Sequence, residues 1–272
     1  MQLITPNPDE FRITERPYYE PVGTEVSLFE AAWQQHVPIL LKGPTGCGKT
    51  RFVSHMAHRL GLPLFTVACH EDLTASDLIG RYLLRGDDTI WSDGPMTAAV
   101  RCGGILYLDE VVEARKDTIV AIHPLTDHRR ALVIDKLATV LQAPASFLLV
   151  ISYNPGYQSI LKELKPSTRQ RFVSLAFNYP SVELESKIIH NEAAVDTLVA
   201  QRLAKVAVRL RNLTDRGLEE GVSTRLLVHA ARLIAAGIAP QVACGAAFSQ
   251  TLTDDPDIQD SIQQLVSDFF LS

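Results

Sequence analysis

Eight residues, Gly43 to Thr50, carry the clearest chemistry in this sequence. They read GPTGCGKT and match the pattern G-x-x-x-x-G-K-[ST], in which glycines let backbone N–H groups turn inward around a phosphate. Lys49 would bring a positive charge to the outer phosphates, and Thr50 would offer a hydroxyl to Mg²⁺. The pattern predicts a bound phosphate-containing ligand with Mg²⁺. The predicted nucleotide-binding residues are Gly43, Pro44, Thr45, Gly46, Cys47, Gly48, Lys49, Thr50 and Arg51.

Three polar residues follow two later apolar runs. GGILYLDE ends in Asp109 and Glu110, and VISYNP contains Asn154. Adjacent carboxylates at the tip of a buried strand cost solvation unless they have a role. Asp109 suits the Mg²⁺ shell, Glu110 suits activation of an attacking water, and Asn154 suits its positioning. The competing interpretations are an acidic strand end and an ordinary Asn-Pro turn.

Two arginines need an anion. KPSTRQRF places Arg169 and Arg171 one residue apart, directly before an apolar run. Pairing with an Asp or Glu of the same chain is one interpretation, and pairing with a ligand phosphate is the other. Arg129 and Arg130 of DHRR have two equally supported interpretations: they form a partner-binding surface, or they are a solvated hairpin tip.

The elements that position these residues form an α/β pattern. Apolar runs over VPILLKG, LPLFTVAC, GGILYLDE, SFLLVISYN and RFVSLAFNY predict five strands separated by helical segments, hence a parallel sheet flanked by helices. RYLLRGDDTIWSDGP and DHRRALVIDKLATVLQAP read as two inserted hairpins, and residues 1–23 read as an extended arm. We expect a nucleotide-binding domain over residues 1–179.

Beyond Pro180 the pattern becomes helical. Ser223 predicts an N-cap and Gly237 a stop, while Asp255 and Pro256 predict the start of a last helix. Its inward face should hold Ile258, Ile262, Leu265, Val266 and Phe269. We expect a smaller all-helical lid domain over residues 180–272.

Composition restricts the class of partner. The chain has 272 residues, 46% of them hydrophobic and 21% charged, with a formal net charge of −5. This charge argues against nucleic acid and an anionic membrane surface, and no apolar run reaches the roughly 18 residues of a membrane helix. The four cysteines form no C-x-x-C pair, which favours free thiols in the cytoplasm.

The motifs together resemble those of the AAA+ ATPases over nearly the whole chain. KGPTGCGKTRF, ACHEDLTASDLIGRYLL, YLDEVVEAR, HPLTDHRR and ISYNPGYQS are similar to the MoxR group and, within it, the CbbQ/NorQ/NirQ subfamily. The resemblance implies an ATP-hydrolysing homo-oligomer, a hexameric ring, with nucleotide at subunit boundaries. Arg171, Arg169 or both would then reach the next subunit's γ-phosphate. Arg225 matches the sensor-two arginine, and Val22 and Gly23 match the segment that cradles adenine.

The same resemblance implies protein remodelling together with a von Willebrand factor A partner of the CbbO type. Rubisco is the favoured client, and nitric oxide reductase, as for NorQ and NirQ, is the alternative. A small-molecule P-loop kinase is the alternative of another class, although it would not need Asn154, arginines in trans or a helical domain. A DNA-directed AAA+ protein is disfavoured by the charge.

Overall fold

The computed structural model describes residues 3–155, 164–212, 218 and 221–270. Two compact units form within it. The first comprises Met1–Gly43 and Lys49–Phe177, and the second comprises Pro44–Gly48 and Asn178–Ser272. The division into domains over 1–179 and 180–272 stays a prediction, because the second unit also takes five residues of the phosphate loop.

The secondary structure follows the predicted alternation. The strands are β1 Leu3–Ile4, β2 Ile39–Lys42, β3 Leu64–Ala68, β4 Gly80–Arg85, β5 Asp88–Asp93, β6 Ile105–Asp109, β7 Ala131–Ile134, β8 Thr139–Gln142, β9 Leu148–Tyr153 and β10 Val173–Ala176. The α-helices are α1 Glu25–Gln34, α2 Lys49–Leu60, α3 Ala75–Ile79, α4 Pro95–Cys102, α5 Lys116–Ala121, α6 Pro166–Arg169, α7 Val182–Ala193, α8 Thr197–Arg211, α9 Thr224–Ala235, α10 Pro240–Cys244, α11 Gln250–Leu252 and α12 Pro256–Phe270. Short 3₁₀ turns cover Pro8–Phe11, Val111–Glu113, His123–Leu125 and Asp135–Leu137, and a π-helical turn covers Gly245–Ser249.

A five-stranded parallel sheet organises the first unit, in the order β10-β2-β9-β6-β3. Its three central strands are almost wholly buried, as continuous apolar runs require when both faces of a sheet are covered. Because all five strands run in one direction, their carboxyl ends share one edge. β2, β6 and β9 lie side by side in the middle, so the residues that follow them converge there.

Both predicted hairpins are present in the first unit. β4 and β5 pair antiparallel with Arg85 opposite Asp88, so Gly86 and Asp87 make the turn and Asp88 already belongs to the strand. β7 and β8 pair in the same way. The arm is more structured than expected, since β1 adds a parallel strand to β5. The Thr5 hydroxyl also donates to Asp93, 2.8 Å away.

Apart from Pro44–Gly48 and short connections, the second unit is helical in its described residues and has its own apolar core. Ser223 caps α9 by accepting a hydrogen bond from the Leu226 N–H, and Asp255 caps α12 in the same way for Ile258. Ile262 and Val266 of α12 are buried, while Ile258, Leu265 and Phe269 pack against that core. The helix Val182–Ala193 was not predicted from the sequence as a separate element. Within the described ranges, no helix combines the length and apolarity that crossing a bilayer would demand.

Candidate functional site

Lys49 is the buried centre of the candidate site. It begins α2, keeps only 7% of its surface exposed, and donates from Nζ to the Gly43 carbonyl at 2.7 Å. A second hydrogen bond joins Nζ to Oδ1 of Asn154 at 2.6 Å. The pairing of β2 with β9 produces this contact, because it brings the ends of the two strands together. The ammonium group is therefore oriented by two oxygens at the carboxyl edge of the sheet.

Asp109 offers a metal-binding oxygen beside Thr50. Its Oδ2 accepts a hydrogen bond from the Thr50 hydroxyl at 3.2 Å. Its Oδ1 accepts from the Tyr107 hydroxyl at 2.7 Å and also from the Ser152 hydroxyl. Oδ1 of Asp109 is thus held by the buried side chains of Tyr107 and Ser152, while Oδ2 faces the Thr50 hydroxyl. Hydroxyl and carboxylate oxygens are the donors that Mg²⁺ prefers, so this pair fits the predicted ion.

Glu110 leaves the strand in an unusual backbone conformation. Its φ is 53° and its ψ is 47°, the left-handed region that few residues with a Cβ adopt. Its backbone N–H donates to Oγ of Ser152 at 3.2 Å, which supports this turn. The side chain is exposed, and its Oε1 lies 3.4 Å from Nδ2 of Asn154. Carboxylate and amide therefore face the same space, where a water molecule could be oriented.

Two neighbouring groups stay neutral beside these carboxylates. Burial, reinforced by the charge of Asp109, raises the pKa of the Tyr107 hydroxyl. Burial, followed by the charges of Asp109 and Glu110, raises the pKa of the Cys69 thiol to about 12. Tyr107 therefore acts as a hydrogen-bond donor to Asp109, and Cys69 adds no negative charge near the phosphate site.

The segment predicted to cradle adenine is held by Glu25. Its carboxylate accepts hydrogen bonds from the N–H groups of Val22, at 2.7 Å, and Gly23, at 2.8 Å. Burial alone would raise the pKa of Glu25, but these bonds and one from the Tyr19 hydroxyl lower it. The Tyr19 ring packs on Phe52, with centroids 5.2 Å apart, so the segment lies against the helix that starts at Lys49.

Arg169 and Arg171 lie away from these groups. Arg171 has an ion pair at 3.6 Å with Asp127, whose carboxylate also receives two-pronged hydrogen bonds from Arg129. In the portion of the chain that the structure describes, neither arginine of the pair contacts Lys49, Asp109, Glu110 or Asn154. Arg171 therefore pairs with a carboxylate of its own chain, but only weakly, because 3.6 Å is too long for a good hydrogen bond. Arg169 is half-buried at the end of α6.

Arg225 belongs to the unit that contains most of the phosphate loop. A methyl group at Gly46 would lie 2.5 Å from Cβ of Ser223 and 3.7 Å from Cβ of Arg225. The start of α9 therefore packs directly on the loop, and only glycine leaves the room for it. Arg225 is exposed on the first turn of that helix. Of the remaining predicted residues, Cys47 is buried and Arg51 is exposed on α2.

Sequence reasoning missed three residues that position the site, Tyr107, Ser152 and Glu25, and also Asp127, which pairs with Arg171. Tyr107 and Ser152 sit inside buried apolar runs, where a lone hydroxyl looks like an ordinary strand residue. The only available signal was their spacing, because side chains two apart on a strand share a face. Tyr107 is two residues before Asp109, and Ser152 is two residues before Asn154.

A parallel sheet of this strand order, with Lys49, Thr50 and two carboxylates on one edge, makes this protein an AAA+ ATPase. Residues 38–172 match the family described as AAA domain (dynein-related subfamily), and residues 185–269 match CbbQ/NirQ/NorQ C-terminal. The chain belongs to the CbbQ/NirQ/NorQ family.

Several curated relatives match along nearly their whole length. Protein CbbQ of Hydrogenophilus thermoluteolus is 54% identical over 96% of this chain and 98% of its own. Denitrification regulatory protein NirQ of Pseudomonas aeruginosa is 56% identical, covering 92% and 96%. Protein NorQ of Paracoccus denitrificans is 55% identical, covering 94% and 95%.

Solved structures agree on the fold alone. A point mutant of Thermotoga maritima RuvB superimposes with a TM-score of 0.55 at 19% identity, over 90% of this chain and 71% of that one. A putative ATPase from Cytophaga hutchinsonii gives a TM-score of 0.51 at 18% identity, over 92% and 82%.

Proposed function

We propose that this chain is one subunit of a homo-oligomeric ring, a hexamer, that hydrolyses ATP to remodel a client protein. One observation carries the proposal. Lys49, Thr50, Asp109, Glu110 and Asn154 gather at one edge of the sheet, yet the two candidate arginines contact none of them within the described ranges. A neighbouring copy would supply the missing positive charge.

Each residue has a distinct task in this proposal. Lys49 draws charge from the outer phosphates, and Asn154 together with Glu110 orients the attacking water, whose proton Glu110 accepts. Mg²⁺ held by Thr50 and Asp109 neutralises phosphate charge when it is bound.

An arginine supplied in trans would stabilise the charge that develops on the transferred phosphoryl group, an effect worth roughly 10³–10⁵ in rate. Arg171 is our first candidate and Arg169 the second. Arg225 as the sensor-two arginine and the Val22–Gly23 segment as the adenine cradle are further parts of the proposal.

The test of trans action mixes two inactive proteins. Arg171→Ala keeps its own phosphate loop, and Lys49→Ala keeps its own arginines. In a random one-to-one mixture about a quarter of the boundaries pair an intact loop with an intact arginine, so ATPase activity should partly return. Arg59→Ala is the matched control, since Arg59 is half-exposed and pairs with Glu30 away from the site, so its variant should hydrolyse ATP normally. Mixed rings without any recovery would refute trans action by Arg171.

The client is the finer part of the proposal. The identities to the three relatives named above lie between 54% and 56%, so they do not separate the clients. We propose Rubisco first, acted on together with a von Willebrand factor A partner of the CbbO type. Purified chain, partner and ATP should restore carboxylation by inhibited Rubisco, and Glu110→Gln should not. Activation of nitric oxide reductase instead would establish the alternative client.

Hydrolysis without an acceptor separates this proposal from a small-molecule kinase. The ring ATPase should release phosphate from ATP in water and elute as a large oligomer. A monomer that turns over ATP only with a phosphate acceptor would establish the kinase instead. The cytoplasm remains the predicted location, because no disulfide joins Cys47, Cys69, Cys102 or Cys244, all of which the structure describes.

A further inference from the structure

We propose that Tyr179, Arg211 and Glu185 form a positioning relay that links the phosphate loop to the helix start that carries Arg225. The proposal rests on the ATP site described above and adds residues to it. All members of the relay lie in the second compact unit, which also contains Pro44–Gly48.

A buried ion pair forms the centre of the relay. Glu185 of α7 has a fully buried side chain, and both of its oxygens accept hydrogen bonds from Arg211 of α8, at 2.7 and 2.8 Å. The Arg211 Nε donates to the Val222 carbonyl at 2.9 Å, which fixes the plane of the guanidinium group. Burying two charges is costly, and apolar residues of the same size often stabilise a fold as well. The pair therefore calls for an explanation beyond stability.

One end of the relay reaches the phosphate loop. The guanidinium carbon of Arg211 lies 3.7 Å from the centroid of the Tyr179 ring, a close stacking contact. The Tyr179 hydroxyl donates a hydrogen bond to the Thr45 carbonyl at 3.1 Å. Arg211 thus holds the ring, and the ring holds a backbone group in the loop. A carbonyl that is held in this way orients the peptide that follows it, whose N–H faces the phosphate site in the predicted pattern.

The other end reaches α9. The Thr224 hydroxyl donates to Oε1 of Glu185 at 2.6 Å, and Thr224 lies between Ser223, which packs on Gly46, and Arg225. The same carboxylate therefore fixes the first turn of the helix that presents Arg225. The relay braces the loop and the helix start against each other, so both adopt one arrangement when ATP binds.

Tyr179→Phe tests the relay with the smallest change. It keeps the ring and its stacking on Arg211 and removes only the O–H that reaches Thr45. The Kd for a fluorescent ATP analogue should rise about three- to tenfold, as expected for one hydrogen bond, while the thermal midpoint falls by no more than about 2–4 °C. Tyr82→Phe is the matched control, because it removes a hydroxyl bond to the Lys136 carbonyl in the first hairpin. Its Kd should equal that of the wild type.

A double-variant cycle tests the Arg225 end. If the relay positions Arg225, Tyr179→Phe should weaken binding less in an Arg225→Ala background than in the wild type. Equal fold-changes in both backgrounds, or a wild-type Kd for Tyr179→Phe, would overturn the relay. The Kd is measured without hydrolysis, so the two proposals can fail separately. A chain that binds the analogue but never hydrolyses ATP would refute the proposed function. The double-variant cycle would still decide whether the relay exists.

Discussion

Replacing Ser152 by alanine should disturb the orientation of the two carboxylates while leaving nucleotide binding nearly intact. The Ser152 hydroxyl is fully buried, donates to Asp109, and accepts from the Glu110 N–H. It thus bonds to both residues of the carboxylate pair, the predicted Mg²⁺ ligand Asp109 and the predicted water-activating residue Glu110. Alanine removes these bonds without adding bulk or changing charge. Lys49 bonds elsewhere, to Gly43 and Asn154.

The magnitude follows from the bonds that are lost. A hydrogen bond to a charged group contributes about 1.5–3 kcal/mol and a neutral one about 0.5–1.5 kcal/mol, so the loss of one of each should lower the free energy of unfolding by roughly 2–4.5 kcal/mol. A misplacement of about 1 Å in a catalytic group costs up to about 10² in rate, so we expect kcat to fall about 10- to 100-fold. KM for ATP should change less than about threefold, because the groups that grip the phosphates are intact.

Steady-state ATPase kinetics and thermal unfolding measure the two effects on the same sample. Thr118→Val is the matched control, since it removes another buried hydroxyl, bonded to the Leu73 carbonyl at 2.8 Å, away from the site. The control should lose stability but keep kcat. The reasoning is refuted if Ser152→Ala is destabilised and still hydrolyses ATP at the wild-type rate.

Three further predictions concern single groups. Glu110→Gln should bind ATP normally and hydrolyse it about 10²- to 10⁴-fold more slowly; normal turnover would remove Glu110 from its role. With a pKa of about 12, the Cys69 thiol should be thiolate in only about one molecule in 10⁴ at pH 8. Alkylation by iodoacetamide should therefore be slow in the native protein and should accelerate as the pH rises or urea unfolds it; rapid native labelling at pH 8 would contradict the raised pKa. Gly46→Ala, with a φ of 66° and a methyl 2.5 Å from Cβ of Ser223, should lower the thermal midpoint and weaken ATP binding, and wild-type affinity would argue against tight packing there.

The main elements of the fold were predictable because their signals are local. Strands such as β6 and β9 are continuous apolar runs, and the Gly86-Asp87 turn marks its hairpin by residue type alone. β1 was not predictable. It has two exposed residues, and its partner β5 lies almost ninety positions later, so neither burial nor spacing reveals it.

The residues of the candidate site also divide into those with a local signal in the sequence and those without one. Lys49, Asp109, Glu110 and Asn154 were predicted to lie together because each ends or follows a strand, and parallel strands bring their ends together. Pairs such as Arg211 with Glu185 were missed because side chains that meet across two helices leave no periodic pattern in either. Only the packing of α7 on α8 and α9 brings them together.

The left-handed backbone of Glu110 has a consequence for protein engineering. That conformation costs a residue with a Cβ roughly 1–2 kcal/mol, whereas glycine adopts it almost without strain. Glycine at this position would relieve the strain while removing the carboxylate proposed to activate water. Selection of random variants for heat resistance alone would therefore favour inactive chains at this site, so such a selection needs an activity screen beside it.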